Sequence, residues 1–282
     1  MTKLIYIETD WHSNSIWGLL HPDTKIMDIT PDGEYFEEPV VLNAEQEFIW
    51  DVRKEALKGA KKIAKKQPVT FLHLGDVVQG FKHTAKYVSA SPYAQQCIAN
   101  KNVEPVFDTL NVERTRFVYG TMAHDGTYHD GIRAITAHTK GFCPDTKMLR
   151  HGLIDVGGTL IDYSHHGSGK GRRTWLKGNE MRYYTKSIMS QELKRGRKPP
   201  DVMLRGHFHG FHWETVRERI NNQWYTTELI LVPSFCGLGA YGQQVTRSEY
   251  MINNGAIMLD IGDRVNVHDW VIERDLRTKE VI

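Results

Sequence analysis

The sequence predicts one α/β domain with its sheets packed inside helices. Short strand-like runs alternate with helical patterns over the first part of the chain, and hairpins close it. A third observation gives this fold a working edge. Several strand-like runs end in Asp or His, and ligands of open α/β sheets bind outside the carboxyl ends of the strands. The 282 residues suffice for one large domain or two small ones. No internal repeat or interdomain linker divides them, so residues 1–282 read as a single domain.

Residues 3–9 (KLIYIET) read as the first strand, which delivers Asp10-Trp11-His12. Residues 13–41 are turn-rich, with Pro22-Asp23 and Pro31-Asp32-Gly33, and read as loops or short strands. Residues 44–66 carry the strongest helical pattern. Phe48, Val52, Ala56, Leu57, Ala60 and Ile63 recur at helical spacing. Asn43 stands where a cap is wanted, and Lys61, Lys62, Lys65 and Lys66 gather where the helix dipole favours cations. Residues 69–72 (VTFL) are β-branched and aromatic, follow Pro68, and lead into Gly75-Asp76. Residues 80–110 have low periodicity and contain Pro92 and Pro105, so they read as loop and broken helix. Residues 114–119 form a third strand, ending at Gly120-Thr121-Met122-Ala123-His124-Asp125, and residues 128–140 a helix. Residues 149–156 and 159–164 read as strands joined by a Gly157-Gly158 hairpin. A helix over 175–193 precedes a basic loop that ends in proline, and the strand 201–204 leads to Gly206-His207-Phe208-His209. Two further strand pairs flank Asn221-Asn222 and Gly262-Asp263.

A hydrophobic share of 40% and a charged share of 25% are ordinary for a soluble globular protein. The formal net charge of +2 excludes a globally basic nucleic-acid binder but leaves room for a local patch. Cys97, Cys143 and Cys236 are far apart and form no CxxC pair. Neither a disulfide framework nor a thiolate zinc site is therefore expected, and a reducing compartment is favoured. Met1-Thr2-Lys3 runs straight into a strand rather than a signal peptide. No apolar run reaches the roughly 18–20 residues of a membrane span. The expectation is a cytoplasmic protein with no membrane partner. Histidine is in excess: there are 14, and most of the surplus lies beside the strand ends.

The residues at those ends are Asp10, His12, Asp76, His124, His166, His207 and His209. Mixed carboxylate and imidazole ligands suit manganese, iron or zinc better than magnesium alone. Two such ions about 3.5–4 Å apart would generate a hydroxide and clamp the oxygens of an in-line phosphoryl displacement. Between two cations an anion is needed, and Asp76 is the best-placed bridging carboxylate.

In order, the chain carries Asp10-Trp11-His12, Gly75-Asp76, Gly120 to His124-Asp125, His166-Gly167 and Gly206-His207-Phe208-His209. This set resembles the calcineurin-like metallophosphoesterase superfamily over residues 10–209. The resemblance implies a four-layer β-sandwich of mixed sheets flanked by helices, with two divalent ions at one edge. Manganese is the first expectation, and iron, zinc or nickel are the alternatives. Asp10, His12 and His209 would hold one ion, His166 and His207 the other, and Asp76 would bridge them. His124 would act as general acid on the leaving oxygen, and Asp125 would orient and charge-stabilise its imidazole. The family expects Asn directly after the glycine, as a ligand of the second ion. Here the block is two residues longer and has no Asn, which leaves Thr121 or a water to fill that place. His165 adjoins His166, but the family's ligand precedes a glycine, so His166 is the expected one.

Fold alone does not choose a substrate. Residues 165–205 hold eleven Lys and Arg against three Asp and Glu, a net of +8, with Trp175, Tyr183 and Tyr184 interleaved. Within them, residues 167–200 read as a basic, insertion-like segment. Its Gly-rich start offers Lys170, Arg172 and Arg173 as substrate contacts, without the GxxxxGK[ST] spacing of a nucleotide-triphosphate loop. Cations with aromatics suit phosphate contacts and base stacking, and equally compose a solvated basic face. The expected activity is metal-dependent hydrolysis of a phosphate-ester substrate, as a phosphodiesterase or nuclease acting on DNA, RNA or nucleotides. The alternatives are a phosphomonoesterase, including a protein phosphatase, and a non-catalytic, metal-poor scaffold. The protein-phosphatase branch expects an Asn-His-Glu block and an arginine after Gly-Asp. Here His124-Asp125 and Val77-Val78 stand in those places, against that branch.

Overall fold

The computed structural model describes residues 3–29, 32–82, 87–126, 130–169, 171, 176–239 and 250–280. Its strands are β1 (Lys3–Glu8), β2 (Lys25–Ile29), β3 (Tyr35–Pro39), β4 (Val69–His73), β5 (Val112–Val118), β6 (Thr146–Leu149) and β7 (His151–Val156). They continue with β8 (Thr159–Ser164), β9 (Val202–Arg205), β10 (His212–Ile220), β11 (Gln223–Leu231), β12 (Met251–Ile261) and β13 (Val265–Asp275). The helices are α1 (Ala44–Ala64), α2 (Pro92–Thr109), α3 (Met122–Asp125), α4 (Asp130–Thr139) and α5 (Asn179–Lys194).

Two mixed sheets stack face to face. One has six strands in the order β13-β12-β1-β4-β5-β6, the other five in the order β10-β11-β9-β8-β7, and β2 and β3 form a separate ribbon. Within the first sheet β1, β4, β5 and β6 run parallel, so the carboxyl ends of β1, β4 and β5 emerge at one edge. β8, β9 and β11 run parallel in the second sheet. Successive strand residues face opposite sides, and β1 uses both. Ile5 and Ile7 meet Ile161, Val202, Leu204 and Ile230 of the other sheet between the layers. Leu4 and Tyr6 point outward to a second core that holds Ile49, Val52 and Ala56 of α1, Val103 of α2 and Ile132 of α4. On the far side Met181 of α5 packs on Met203, Leu229 and Leu231. Helix, sheet, sheet, helix is the four-layer architecture that the resemblance implies.

The pattern at 44–66 becomes α1, closed by a reciprocal cap. Asn43 Oδ1 accepts from the Gln46 amide at 3.0 Å, and Gln46 Oε1 accepts from the Asn43 amide at 3.2 Å. Two expectations are corrected. Residues 80–110 contain a full helix, α2, capped by Ser91 with Pro92 in its first turn and Pro105 inside it. Its apolar period is hidden because buried polar residues hold loops in place. Gln95 Oε1 accepts the Gly80 amide at 2.9 Å, and Asn102 Nδ2 donates to the Leu19 carbonyl at 2.8 Å. The single strand expected over 149–156 is two strands in different sheets, since the chain leaves the first sheet after Leu149 and enters the second at His151. Both pieces are apolar enough to pack, so composition gives no sign of the crossing. No helix among the described residues is long and apolar enough to cross a membrane.

Candidate metal centre

The strand ends converge through unusual backbone. Asp10, His12, Asp76, His207 and His209 all adopt positive φ, between 45° and 73°, and make up five of the nine non-glycine residues that do so among the described residues. Such conformations cost about 1–3 kcal/mol each and persist where the surroundings force them, often at functional sites. Here the loops lock one another: the Asp10 amide donates to the Gly75 carbonyl and the His12 amide to the Asp76 carbonyl, both at 3.0 Å. The Gly206 amide donates to the His165 carbonyl at 3.1 Å. The approach is close enough to require glycine. At Gly75 (φ +111°) a Cβ would strike the His165 ring, and at Gly120 it would strike the Asp76 carboxylate.

Two clusters result. In the first, His12 Nε2 and His209 Nε2 face each other at 3.1 Å, with Asp10 Oδ1 at 3.8 and 3.4 Å from them. Asp10 is fully buried. Its Oδ2 accepts from Thr9 Oγ1 at 2.7 Å and the His207 amide at 3.0 Å, while its Oδ1 has no hydrogen-bond partner. Gln79 Oε1 lies 3.1 Å from His12 Nδ1. With that nitrogen donating, Nε2 turns its lone pair into the cluster. In the second cluster, His165 Nδ1 donates to the Leu74 carbonyl at 2.7 Å and Nε2 lies 3.0 Å from Asp76 Oδ2. The ligand atoms of His165, His166 and His207 fall within 4.8 Å of one another. Asp76 belongs to both neighbourhoods. It groups with Asp10 and His165 on one side and with His12 and His124 on the other, again within 4.8 Å.

His124, in α3, has Nδ1 at 2.6 Å from the Gln79 carbonyl and Nε2 at 4.0 Å from Asp76 Oδ2. Asp125 is buried, and its Oδ2 accepts the Gly120 amide at 2.5 Å. Thr121 donates to Asp76 Oδ1 through its amide at 2.6 Å and its hydroxyl at 3.2 Å, so it holds the carboxylate in place.

The electrostatics favour cations. Burial opposes ionisation of Asp76, but the charge of His165 and its hydrogen bond outweigh it and hold the carboxyl far below its ordinary range. Burial is likewise overcome at Asp10, chiefly by the charge of His209, and its carboxyl is held well below the ordinary range. Burial, then His124, pushes His12 down to about 4, and burial, then His165, does the same to His207, so both imidazoles are neutral with a lone pair to offer. At His165 burial opposes protonation, yet Asp76 prevails and pushes it up to about 9. Burial and the Asp76 charge push Asp125 up to about 7. A buried carboxylate oxygen without a partner, the neutral His12 imidazole beside it and a central anionic carboxylate together fit divalent cations.

Asp10, His12, Asp76, Thr121, His124, Asp125, His166, His207 and His209 thus all reach this edge, while Lys170, Arg172 and Arg173 lie outside the described residues. Three further residues belong to it. His165 stands against Asp76 while His166 is exposed, and the His-His doublet was the only sequence signal for it. Gln79 touches two of the histidines and follows no motif. Cys236, which no CxxC pair marks in the sequence, offers a sulfur within 4.8 Å of ligand atoms of His12 and His209.

No protein-family model matches the chain, and no curated protein does. Solved structures of similar shape include an archaeal phosphodiesterase, 14% identical, with 95% of this chain and 99% of that one covered at a TM-score of 0.42. Vps29 of Chaetomium thermophilum is 11% identical, with 98% and 100% covered at a TM-score of 0.35. A metallophosphoesterase from Sphaerobacter thermophilus is 13% identical, with 94% and 87% covered at a TM-score of 0.35. At these identities and TM-scores the likeness bears on neither activity nor substrate.

Proposed function

We propose that this chain is a calcineurin-like metallophosphoesterase, a metal-dependent hydrolase of phosphate esters that acts as a phosphodiesterase on nucleotides or nucleic acid. The observation that carries this reading is the position of Asp76, a buried anionic carboxylate within ligand reach of both clusters. Asp10, His12 and His209 would hold one divalent cation, His207 with His165 or His166 the other, with manganese the first expectation. Bound there, the cations supply positive charge to phosphoryl oxygens and acidify a water. The chain's own groups do the rest. Thr121 fixes the Asp76 carboxylate, and Gln79 fixes both His12 and His124. With Nδ1 of His124 committed to the Gln79 carbonyl, Nε2 is the atom that delivers a proton to the leaving oxygen.

Charge supports a diester over a monoester. Among the described residues, the buried arginines Arg53 and Arg205 are already engaged, by Glu8 and by Asp162. A singly charged diester asks for less additional positive charge than a dianionic monoester. The basic segment supports a short substrate over a long strand. Of its described cations, Arg182, Lys186, Arg195, Arg197 and Lys198 pair with Glu214, Glu218, Glu192 and Asp201 of this chain. Manganese-loaded protein is expected to cleave bis-p-nitrophenyl phosphate faster than p-nitrophenyl phosphate, and nucleotides faster than long single-stranded DNA or RNA. His124→Ala should lower kcat about 10²–10⁴-fold with metal retained, and Asp76→Asn should remove both metal and activity. Equal rates in wild type and both variants would overturn the reading.

A further inference from the structure

Cys236 lies just beyond β11, where the chain passes under the metal edge. Its backbone is pinned on two sides. Its carbonyl accepts from Asn254 Nδ2 and Ser234 Oγ, both at 3.1 Å, and it bridges Gly18 in the loop that follows His12. The next residue, Gly237, donates its amide to the Trp17 carbonyl at 2.7 Å. The side chain is only 6% exposed, and its Sγ donates to the Gly237 carbonyl at 3.3 Å. The sulfur and the ligand nitrogens of His12 and His209 all fall within 4.8 Å of one another. An independent observation points to a cation in the same place. Asp10 is fully buried, and its Oδ1, aimed between the two Nε2 atoms, has no hydrogen-bond partner.

We propose that Cys236 is a further ligand of the ion held by Asp10, His12 and His209, beside the bridging Asp76, and that the added thiolate selects zinc or ferrous iron over manganese at that position. The proposal rests on the phosphoesterase reading and specifies one half of its two-ion centre. Thiolate is a soft ligand, which favours zinc and iron and does little for manganese. In a tetrahedral zinc site with arms of about 2.0–2.1 Å to nitrogen and 2.3 Å to sulfur, neighbouring N and S atoms stand roughly 3.6 Å apart. The Cys236 sulfur and the His12 and His209 nitrogens, within 4.8 Å of one another, therefore stand little more than about 1 Å beyond that separation, which side-chain rotation on the pinned backbone can close. On binding, the thiol loses its proton to solvent, the Sγ hydrogen bond to Gly237 is given up, and a metal–sulfur bond takes its place. The ligand pair is discontinuous in sequence, which is why the absence of a CxxC pair did not reveal it.

The test is spectroscopic, on the full chain stripped of metal and titrated with cobalt(II). Wild type is expected to develop a sulfur-to-cobalt charge-transfer band in the near ultraviolet. Cys97→Ser should keep the band, and Cys236→Ser should lose it while still binding cobalt. Competition titrations should show the zinc-over-manganese preference falling about 10–100-fold in Cys236→Ser, the range that changes around metal ligands produce. Wild-type protein that binds two equivalents of cobalt and cleaves a diester without the band would overturn the proposal and leave the phosphoesterase reading intact. Protein that binds no metal at all would remove both.

Discussion

Two carboxylates stand two residues apart at the end of β1, and the fold treats them in opposite ways. Glu8 is fully buried and surrounded: Tyr6 Oη donates to it at 2.7 Å, Trp11 Nε1 at 2.8 Å, and Arg53 through Nε at 3.1 Å and a terminal nitrogen at 3.0 Å. Arg53 uses its other terminal nitrogen on the Asn102 carbonyl at 2.6 Å, tying α1 to α2. Asp10 is just as buried, yet one of its oxygens has no hydrogen-bond partner and its backbone sits at φ 52°. An unpaired buried charge costs several kcal/mol. At Glu8 the chain offsets that cost itself. At Asp10 it leaves the offset to a cation from outside, so the first pair is architecture and the second is a site.

The largest expected effect breaks the satisfied member. Arg53→Met leaves Glu8 charged and buried without its guanidinium, and urea denaturation should show a loss of about 3–5 kcal/mol. That is a large share of the roughly 5–15 kcal/mol that holds a domain folded. Metal stoichiometry of the folded fraction should not change. The next effect breaks the other member. In Asp10→Asn the amide oxygen can still accept from Thr9 and the His207 amide, so metal-free stability should hold or rise. Metal affinity should fall more than about 100-fold, beyond what changes behind a ligand produce. If Asp10→Asn destabilised the metal-free protein as much as Arg53→Met, the distinction between the two carboxylates would collapse.

This contrast also explains what the sequence could and could not reveal. Asp10, Asp76, His207 and His209 were legible because each follows a strand-like run and belongs to a short block with glycine or histidine beside it. The layers were legible because β1 and α1 have clear periods, and the Gly157-Gly158 and Asn221-Asn222 hairpins were legible from turn chemistry. α2 was not, because Gln95 and Asn102 are buried for what they bond rather than for being apolar. Nor was the sheet crossing between Leu149 and His151, which only the pairing of β6 and β7 with different partners decides. Gln79 and Cys236 were illegible for a related reason. Their importance lies in which loops the fold brings to them, and each is a single residue of a common type in its own stretch of chain.

A partly buried carboxylate paired like Glu8 gives the smallest and most diagnostic effect. Asp162, in β8, resembles Glu8: Arg205 meets it at 2.5 Å and His151 Nε2 at 2.6 Å. Burial acts to raise its pKa, but the hydrogen bond from His151 and the charge of Arg205 outweigh it and hold the carboxyl below the ordinary range. A group whose folded pKa is depressed adds stability above its unfolded value, about 3.9 for Asp, and loses it as the pH falls through the folded value. Asp162→Asn should therefore be less stable than wild type at neutral pH. The gap should narrow as the pH drops below about 4, because wild type is then surrendering the same interaction. Urea midpoints of the two metal-free proteins at neutral and acid pH measure this. A gap that stayed constant would mean that Asp162 contributes through packing and neutral hydrogen bonds. The paired-carboxylate half of the comparison would then rest on Glu8 alone.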